Sequence, residues 1–269
     1  MLSLREKILG GKVMEIFGDY HIHTTASDGM ASLVDQTKSA ISAGLKEIAV
    51  TDHSWNTLLS SMSHHKFDRQ TEAISMMHQV DDMNIKIYHG IEGNLLNRNG
   101  DMDIPDDIMP KLDLLACGFH RFLEATCWDK NMKYLLVNGF AGKKAREKMI
   151  AINTWAFLSA MERYPIDVLV HLQHRALVDI KAICEKAREK DVYIELNEKH
   201  IKQIEPCIGD IIESGVKLIV GSDAHTTGTV GKFANTIALI EKYNIPTDRI
   251  AGIGCEPKFK DKSNYKVEK

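Results

Sequence analysis

Seven short runs of apolar and β-branched residues recur along the chain, at residues 14–20, 47–50, 85–88, 112–116, 167–170, 192–196 and 217–220. Continuous apolar runs of this length suit strands buried on both faces, as in parallel sheets. The segments between them carry helical spacing. Val34, Lys38, Ile41 and Leu45 fall on one stripe that Gly44 is placed to end, and Met149, Ile152 and Ala156 repeat the pattern. Ile180, Ile183, Cys184 and Ala187 form another stripe, while Ile208, Ile211 and Ile212 precede Gly215, and Phe233, Ile237 and Ile240 precede Asn244. Glycine and asparagine are the residues that close helices in the left-handed conformation. Strands alternating with helices predict right-handed βα units. Seven such units in 269 residues point to a distorted (β/α)7 TIM-like barrel, with its chemistry at the C-terminal ends of the strands. Residues 55–66 and 93–110 read as longer loops, and the Lys-rich 258–269 as a solvated tail.

The strand ends supply the chemistry. His21-Ile22-His23 closes the first run and Asp52-His53 the second. Glu92 follows the third, His120 the fourth, His171 the fifth, Asn197 the sixth, and Asp223-Ala224-His225 the seventh. In an extended segment, residues two apart share a side, so His21 and His23 project together. Asp28, in Ser27-Asp28-Gly29, is either a turn former or a carboxylate folded back toward that strand end. Imidazoles mixed with carboxylates suit Zn²⁺, Mn²⁺ or Fe²⁺. Asp52 reads as a partner that orients a ligand or caps a turn rather than as a ligand. Glu92, flanked by Ile91 and Gly93, needs a countercharge, and a carboxylate can bridge two metals. His171 and His174 compete as the fifth-strand ligand. His89 would sit behind Glu92, His200 would face a substrate or solvent, and His64, His65 and His78 would be exposed.

Charge and composition narrow the classes. With 34 Lys+Arg against 37 Asp+Glu the net charge is −3, which argues against a dedicated nucleic-acid binder. Hydrophobic residues at 44% and charged residues at 26% are globular values and fit one large domain. No apolar run exceeds six residues (114–119 and 250–255), so no membrane span is expected. The charged start at Arg5, Glu6 and Lys7 does not read as a secretory signal. Five scattered cysteines fit a reducing cytoplasm better than a disulfide framework.

Taken together, His21-Ile22-His23-Thr24 with Ser27-Asp28-Gly29, Thr51-Asp52-His53-Ser54, Gly90-Ile91-Glu92 and Gly221-Ser222-Asp223-Ala224-His225 resemble the PHP (polymerase and histidinol phosphatase) family. The likeness runs from about Phe17 to Phe233 and is greatest to YcdX-like and histidinol-phosphatase-like members. It implies one PHP domain over 1–269, with a core at about 15–245 and up to three metals. By that likeness His21, His23, Glu92 and Asp223 hold the first metal, and Glu92 bridges to a second held by His120 and His171. Asp28, His53 and His225 hold the third; several members have histidine where this chain has Asp28. The family's fifth-strand motif often reads His-Pro, where this chain has His171-Leu172-Gln173-His174.

The function expected is hydrolysis of a small phosphorylated metabolite by a metal-bound hydroxide at a di- or trinuclear site of Zn, Mn or Fe. Glu92, Asp223 and His225 are expected to carry catalysis, and Arg121, Arg175 and Lys199, just past three strand ends, are candidate phosphate clamps. The competing readings are a phosphodiesterase acting on nucleotides, an amidohydrolase-like metal hydrolase, and a non-catalytic metal-stabilised module. Amidohydrolase sites often need a carboxylated lysine at a strand end, and no lysine takes that place here.

Overall fold

A computed structural model describes residues 7–9, 12–58, 60–80, 83–120 and 136–266. A short antiparallel hairpin, β1 (Lys7–Leu9) and β2 (Lys12–Met14), precedes an eight-stranded parallel sheet. The sheet runs in chain order through β3 (Gly18–Ile22), β4 (Glu47–His53), β5 (Lys86–Asn94), β6 (Leu114–Gly118), β7 (Val168–Leu169), β8 (Tyr193–Asn197), β9 (Leu218–Gly221) and β10 (Ile250–Ala251). All seven expected strands are present. The first begins at Gly18, because Met14 belongs to the hairpin.

An eighth, two-residue strand completes the wall. At their C-terminal ends β3 and β9 meet directly, with His23 N donating to Ala224 O (2.9 Å) and Ala224 N to His21 O (3.2 Å). Toward the N-terminal end they separate, and β10 fills the gap: it pairs with β9, and the following Gly252 O accepts from Phe17 N at 2.8 Å. The barrel is therefore nearly closed, tightest at the end that bears the histidines. Ile22, Ile48, Val50, Ile91, Leu115, Ile194, Leu196 and Val220 are buried within and around it.

Helices cover the outside. On α1 (Leu33–Ser42) the buried residues are Leu33, Gln36, Thr37 and Ala40, while Val34 and Ile41 are each 42% exposed. The expected stripe through Val34, Lys38 and Ile41 is thus the outer face. The helix instead turns Gln36 inward, where its Nε2 donates to His23 O at 2.7 Å. The helix α2 (His64–His78) starts at the Ser63 cap, so the loop expected to reach residue 66 ends earlier. In α3 (Ile150–Arg163), Ala156 is buried as expected, but Ile152 is 37% exposed and Asn153 takes the inner place, bonded to Asn138 and Leu177 O. The expected stripe of α4 (Ile180–Glu189) is buried throughout. The helices α5 (Ile208–Ser214) and α6 (Ala234–Tyr243) end at Gly215 (φ 72°) and Asn244 (φ 50°), both left-handed as expected.

The tail is only partly solvated: Lys258, Asp261, Ser263, Asn264 and Lys266 are exposed, but Lys262 is buried. Residues 257–266 return across the N-terminal mouth of the barrel, where Phe259 packs edge-on against Tyr88 (centroids 4.9 Å) and Tyr20 (6.1 Å). Lys262 is fully buried; its Nζ lies 2.7 Å from Asp167 Oδ2 and donates to Asp113 O at 3.1 Å. The run of lysines predicts a charged surface, but one of them is the counter-ion of a buried carboxylate at the start of β7.

Among the described residues, no helix is long and apolar enough to cross a membrane.

Candidate metal centre

Glu92 lies at the middle of the C-terminal mouth, 1% exposed on β5. Its Oε2 is 3.0 Å from His53 Nδ1 and 3.5 Å from both His21 Nε2 and His23 Nε2. Its Oε1 is 2.6 Å from His171 Nε2 and 3.1 Å from His120 Nε2. One carboxylate thus faces five imidazoles from four strand ends besides its own. Asp28 folds back as the turn allows: its Oδ2 lies 3.3 Å from His53 Nε2 and 3.4 Å from His225 Nε2, and its Oδ1 3.5 Å from His23 Nδ1. Asp223 Oδ1 is 3.3 Å from His225 Nδ1 and 3.8 Å from His23 Nε2. All nine residues expected as ligands converge at one mouth.

The surroundings aim these rings inward. His21 Nδ1 bonds Glu195 Oε1 at 2.7 Å, His120 Nδ1 bonds Asn94 Oδ1 at 2.5 Å, and His225 Nδ1 bonds the Asp223 carbonyl at 2.9 Å. Each contact takes the outer nitrogen and leaves Nε2 facing the centre, the usual arrangement for an imidazole ligand. Glu195 Oε2 also accepts from the backbone of His171 (2.7 Å) and from Asn197 Nδ2 (3.0 Å). Gly221 makes this possible, because a Cβ on it would overlap Glu195 Oε1. Asn94 is held in turn by Asp103, Ser54 and Thr57.

Asp52 touches no histidine of the cluster. It accepts from Thr24 N and Thr24 Oγ1 (both 2.7 Å), Ser27 Oγ (2.5 Å) and Gln70 Nε2 (2.7 Å), and so clamps the turn that carries Asp28. His89 stands behind it, its Nε2 on Gln70 Oε1 at 2.9 Å, and burial lowers its pKa to about 4. His171 and Asp223 adopt left-handed φ values of 35° and 54°, uncommon for residues with side chains and often kept where a site requires them.

The electrostatics fit a cation. Burial alone would raise the pKa of Glu92, but His120, His21 and His53 outweigh it and hold the carboxyl well below the usual range. Burial would likewise lower His53, yet Glu92 and Asp28 push it up to about 10. His23 moves the other way, driven well down by burial and the neighbouring His53. His23 Nδ1, His53 Nδ1 and Glu92 Oε2 are buried with no hydrogen bond, although the last two are 3.0 Å apart. The Nε2 atoms of His21 and His23 lie 3.1 Å apart, where at most one proton fits between them. Orphaned groups of this kind cost about 1–3 kcal/mol each unless something satisfies them. Ligand atoms of His21, His23 and Glu92, of His53, Glu92 and His120, and of His23, Asp28, His53 and His225 lie within 4.8 Å of one another in each set. Each of these overlapping groups could hold a metal ion.

Of the two candidates on the fifth strand end, His171 reaches Glu92; His174 instead stacks on His200 at 3.7 Å, outside the cluster. Lys199 Nζ lies 3.1 Å from Asp223 Oδ1. Arg175 lines a cleft of about 440 Å³ with Ser27, Thr57, Leu58, Phe119 and His174, opening onto Asp28, His53 and His120. Arg121 falls outside the described residues. His64, His65 and His78 are exposed as expected.

Sequence reasoning missed Glu195, Asn94 and Asp103. Glu195 did carry a signal: a carboxylate inside an apolar run, two residues from Asn197 and therefore on the same side of the strand. Asp103 carried none, since it comes from a loop.

A family model described as the PHP domain matches residues 19–244. A protein from Caldanaerobacter subterraneus named "probable phosphatase" is 26% identical over 242 residues, covering 86% of this chain and 85% of its own. One of the same description from Aliivibrio fischeri is 29% identical over 248 residues, covering 88% and 89%. Among solved structures, histidinol phosphate phosphatase from Lactococcus lactis, complexed with zinc, L-histidinol and phosphate, shares the fold. Its TM-score is 0.57 at 16% identity, over 86% of this chain and 95% of that one.

Proposed function

Because the chain belongs to the PHP family of metal-dependent phosphoesterases, we propose that it is a phosphatase acting on small phosphomonoesters at a di- or trinuclear centre. The observation that carries the reading is Glu92, a buried carboxyl group that faces five imidazoles. We assign His21, His23, Glu92 and Asp223 to one ion, Glu92, His120 and His171 to a second, and Asp28, His53 and His225 to a third. His53 lies near enough to Glu92 to serve the second as well. Zinc, manganese and iron all suit this donor set. Bound divalent ions would neutralise phosphate oxygens and supply a nucleophile from water at neutral pH.

The chain's own groups do the rest. Glu195 and Asn94 fix His21 and His120 so that little reorganisation remains when substrate arrives. Lys199, half exposed beside Asp223, and Arg175 in the adjoining cleft are placed to hold non-bridging phosphate oxygens. Asp223 and His225, joined through the Asp223 carbonyl, line the side from which Lys199 approaches. Four cysteines without a disulfide among the described residues support a reducing compartment, and we assign the enzyme to the cytoplasm.

Three carboxylates contribute at most −3 against +6 from three divalent ions, and the residual positive charge favours a dianionic monoester over a diester or a neutral amide. Purified enzyme is expected to hydrolyse p-nitrophenyl phosphate at least about tenfold faster than bis(p-nitrophenyl) phosphate. Chelators should remove the activity and inorganic phosphate should inhibit as product. Faster cleavage of the diester would make the enzyme a phosphodiesterase, and hydrolysis of amides alone would give the site to C–N chemistry.

Glu195→Gln tests the support of the centre. The amide keeps the size of the side chain but weakens the bond to His21 Nδ1, so metal affinity is expected to fall by about 10–100-fold. Titration of metal-free protein with Zn²⁺ or Mn²⁺ measures it. Unchanged affinity would show that Glu195 only spaces the strands.

A further inference from the structure

A second cleft, of about 340 Å³, also opens onto the cluster, beside Asp223 and His225 rather than Phe119 and Arg175. Asp223 and His225 form its inner wall, and Lys199, Lys232, Thr226, Thr229 and Glu198 line the rest with Ser222 and Asn235. Its charges are unevenly committed. Both oxygens of Glu198 are taken by backbone donors, Asn235 N at 2.9 Å and Thr236 N at 2.8 Å. Asp223 points toward His23 and His225, and in the metal-loaded protein it is a proposed ligand. Lys199 has Asp223 as its carboxylate partner, and Lys232 makes no ion pair among the described residues. At the rim the Thr229 hydroxyl donates to Thr226 O at 2.9 Å, and the Thr226 hydroxyl lies 3.2 Å from it. The cleft therefore presents one ammonium group, Lys232, without an acidic partner among the described residues, and a second, Lys199, whose partner Asp223 is itself a proposed metal ligand. The cleft lined by Arg175 has apolar walls at Leu58 and Phe119.

We propose that the Lys199–Lys232 cleft is a subsite for a second anionic group of the substrate, so that the preferred phosphomonoester carries a carboxylate or a second phosphate close to the scissile one. This rests on the phosphoesterase reading and deepens it. The second anion would give Lys232 a partner beside Lys199, a charge-assisted contact that a monoester without the second anion does not make.

The test uses matched substrates. 3-Phosphoglycerate, which adds a carboxylate, and glycerol 1,3-bisphosphate, which adds only a second phosphate, are each compared with glycerol 3-phosphate, which lacks the second anion, on metal-loaded wild-type enzyme and on Lys232→Gln. Lys232 is exposed, so the variant should fold normally, and circular dichroism checks this. The wild type is expected to favour at least one of the two anionic substrates by about tenfold or more in kcat/KM. Lys232→Gln should bring that ratio close to one. Preference for the carboxylate or for the bisphosphate identifies which anion the subsite takes. Equal kcat/KM across the three substrates, or a preference that survives Lys232→Gln, overturns the proposal. If p-nitrophenyl phosphate is hydrolysed in that case, only the subsite fails; if no phosphomonoester is hydrolysed, the phosphatase reading fails first.

Discussion

Turnover by Glu92→Gln is expected to fall by about 10³-fold, with the fold retained. Glutamine matches glutamate in size, and Glu92 sits within the β4–β5–β6 ladder, opposite His53 and Ala116, so backbone pairing survives the change. What is lost is the charge. An amide offers one neutral oxygen where the carboxylate offered two anionic ones, and its NH₂ would point at an imidazole nitrogen that now faces Glu92 at 2.6–3.5 Å. A group that cannot bridge two cations leaves each with fewer ligands, so metal content should drop along with kcat. Elemental analysis after gel filtration, steady-state kinetics and thermal melting separate the three effects. Wild-type turnover and metal content in a folded Glu92→Gln protein would remove Glu92 from the centre of the assignment.

Much of that centre was legible because a parallel barrel maps chain order onto a ring. Each strand brings its C-terminal residue to the same mouth, so a histidine or acid after each apolar run is enough to expect His21, His53, Glu92, His120, His171 and Asp223 together. The misses have a common cause. Hydrophobic spacing measures which residues avoid water and is blind to polar groups that a neighbour requires. Gln36 faces inward on α1 because the His23 carbonyl needs a donor there, and Val34 is displaced to the surface. Asn153 does the same on α3 at the expense of Ile152. Glu195 acts on a ring from the far end of the chain and Asn94 on one from the neighbouring strand, and nothing near either in sequence says which ring it meets. The two-residue β10 is too short for any periodicity, and it is defined by the gap between β3 and β9 that it fills.

Lys262→Met is expected to lower stability by about 3–5 kcal/mol, because removing one partner of a buried ion pair leaves the other charge uncompensated. For a chain of this size that corresponds to a melting temperature lower by about 10 °C. Methionine fills nearly the same volume, so packing around Phe259 and Tyr88 is not the main loss. Asp167 is the main loss. Its carboxylate is 1% exposed, accepts from Leu115 N and Lys260 N at 2.8 Å each, and has Lys262 Nζ 2.7 Å away. Burial already raises the Asp167 pKa above its ordinary value, with Lys262 opposing that rise. Without the ammonium group the carboxyl must rise further, so the folded variant binds its proton more tightly than the unfolded chain does. Stability then falls as pH increases through the folded-state pKa, which makes the deficit largest at and above neutrality and smaller in acid. Asp167→Asn added to Lys262→Met removes the stranded charge and should recover much of the loss, a non-additivity that a double-mutant cycle measures directly. Wild-type melting by the single variant would instead return the C-terminal residues to the solvated tail that their charge pattern suggests.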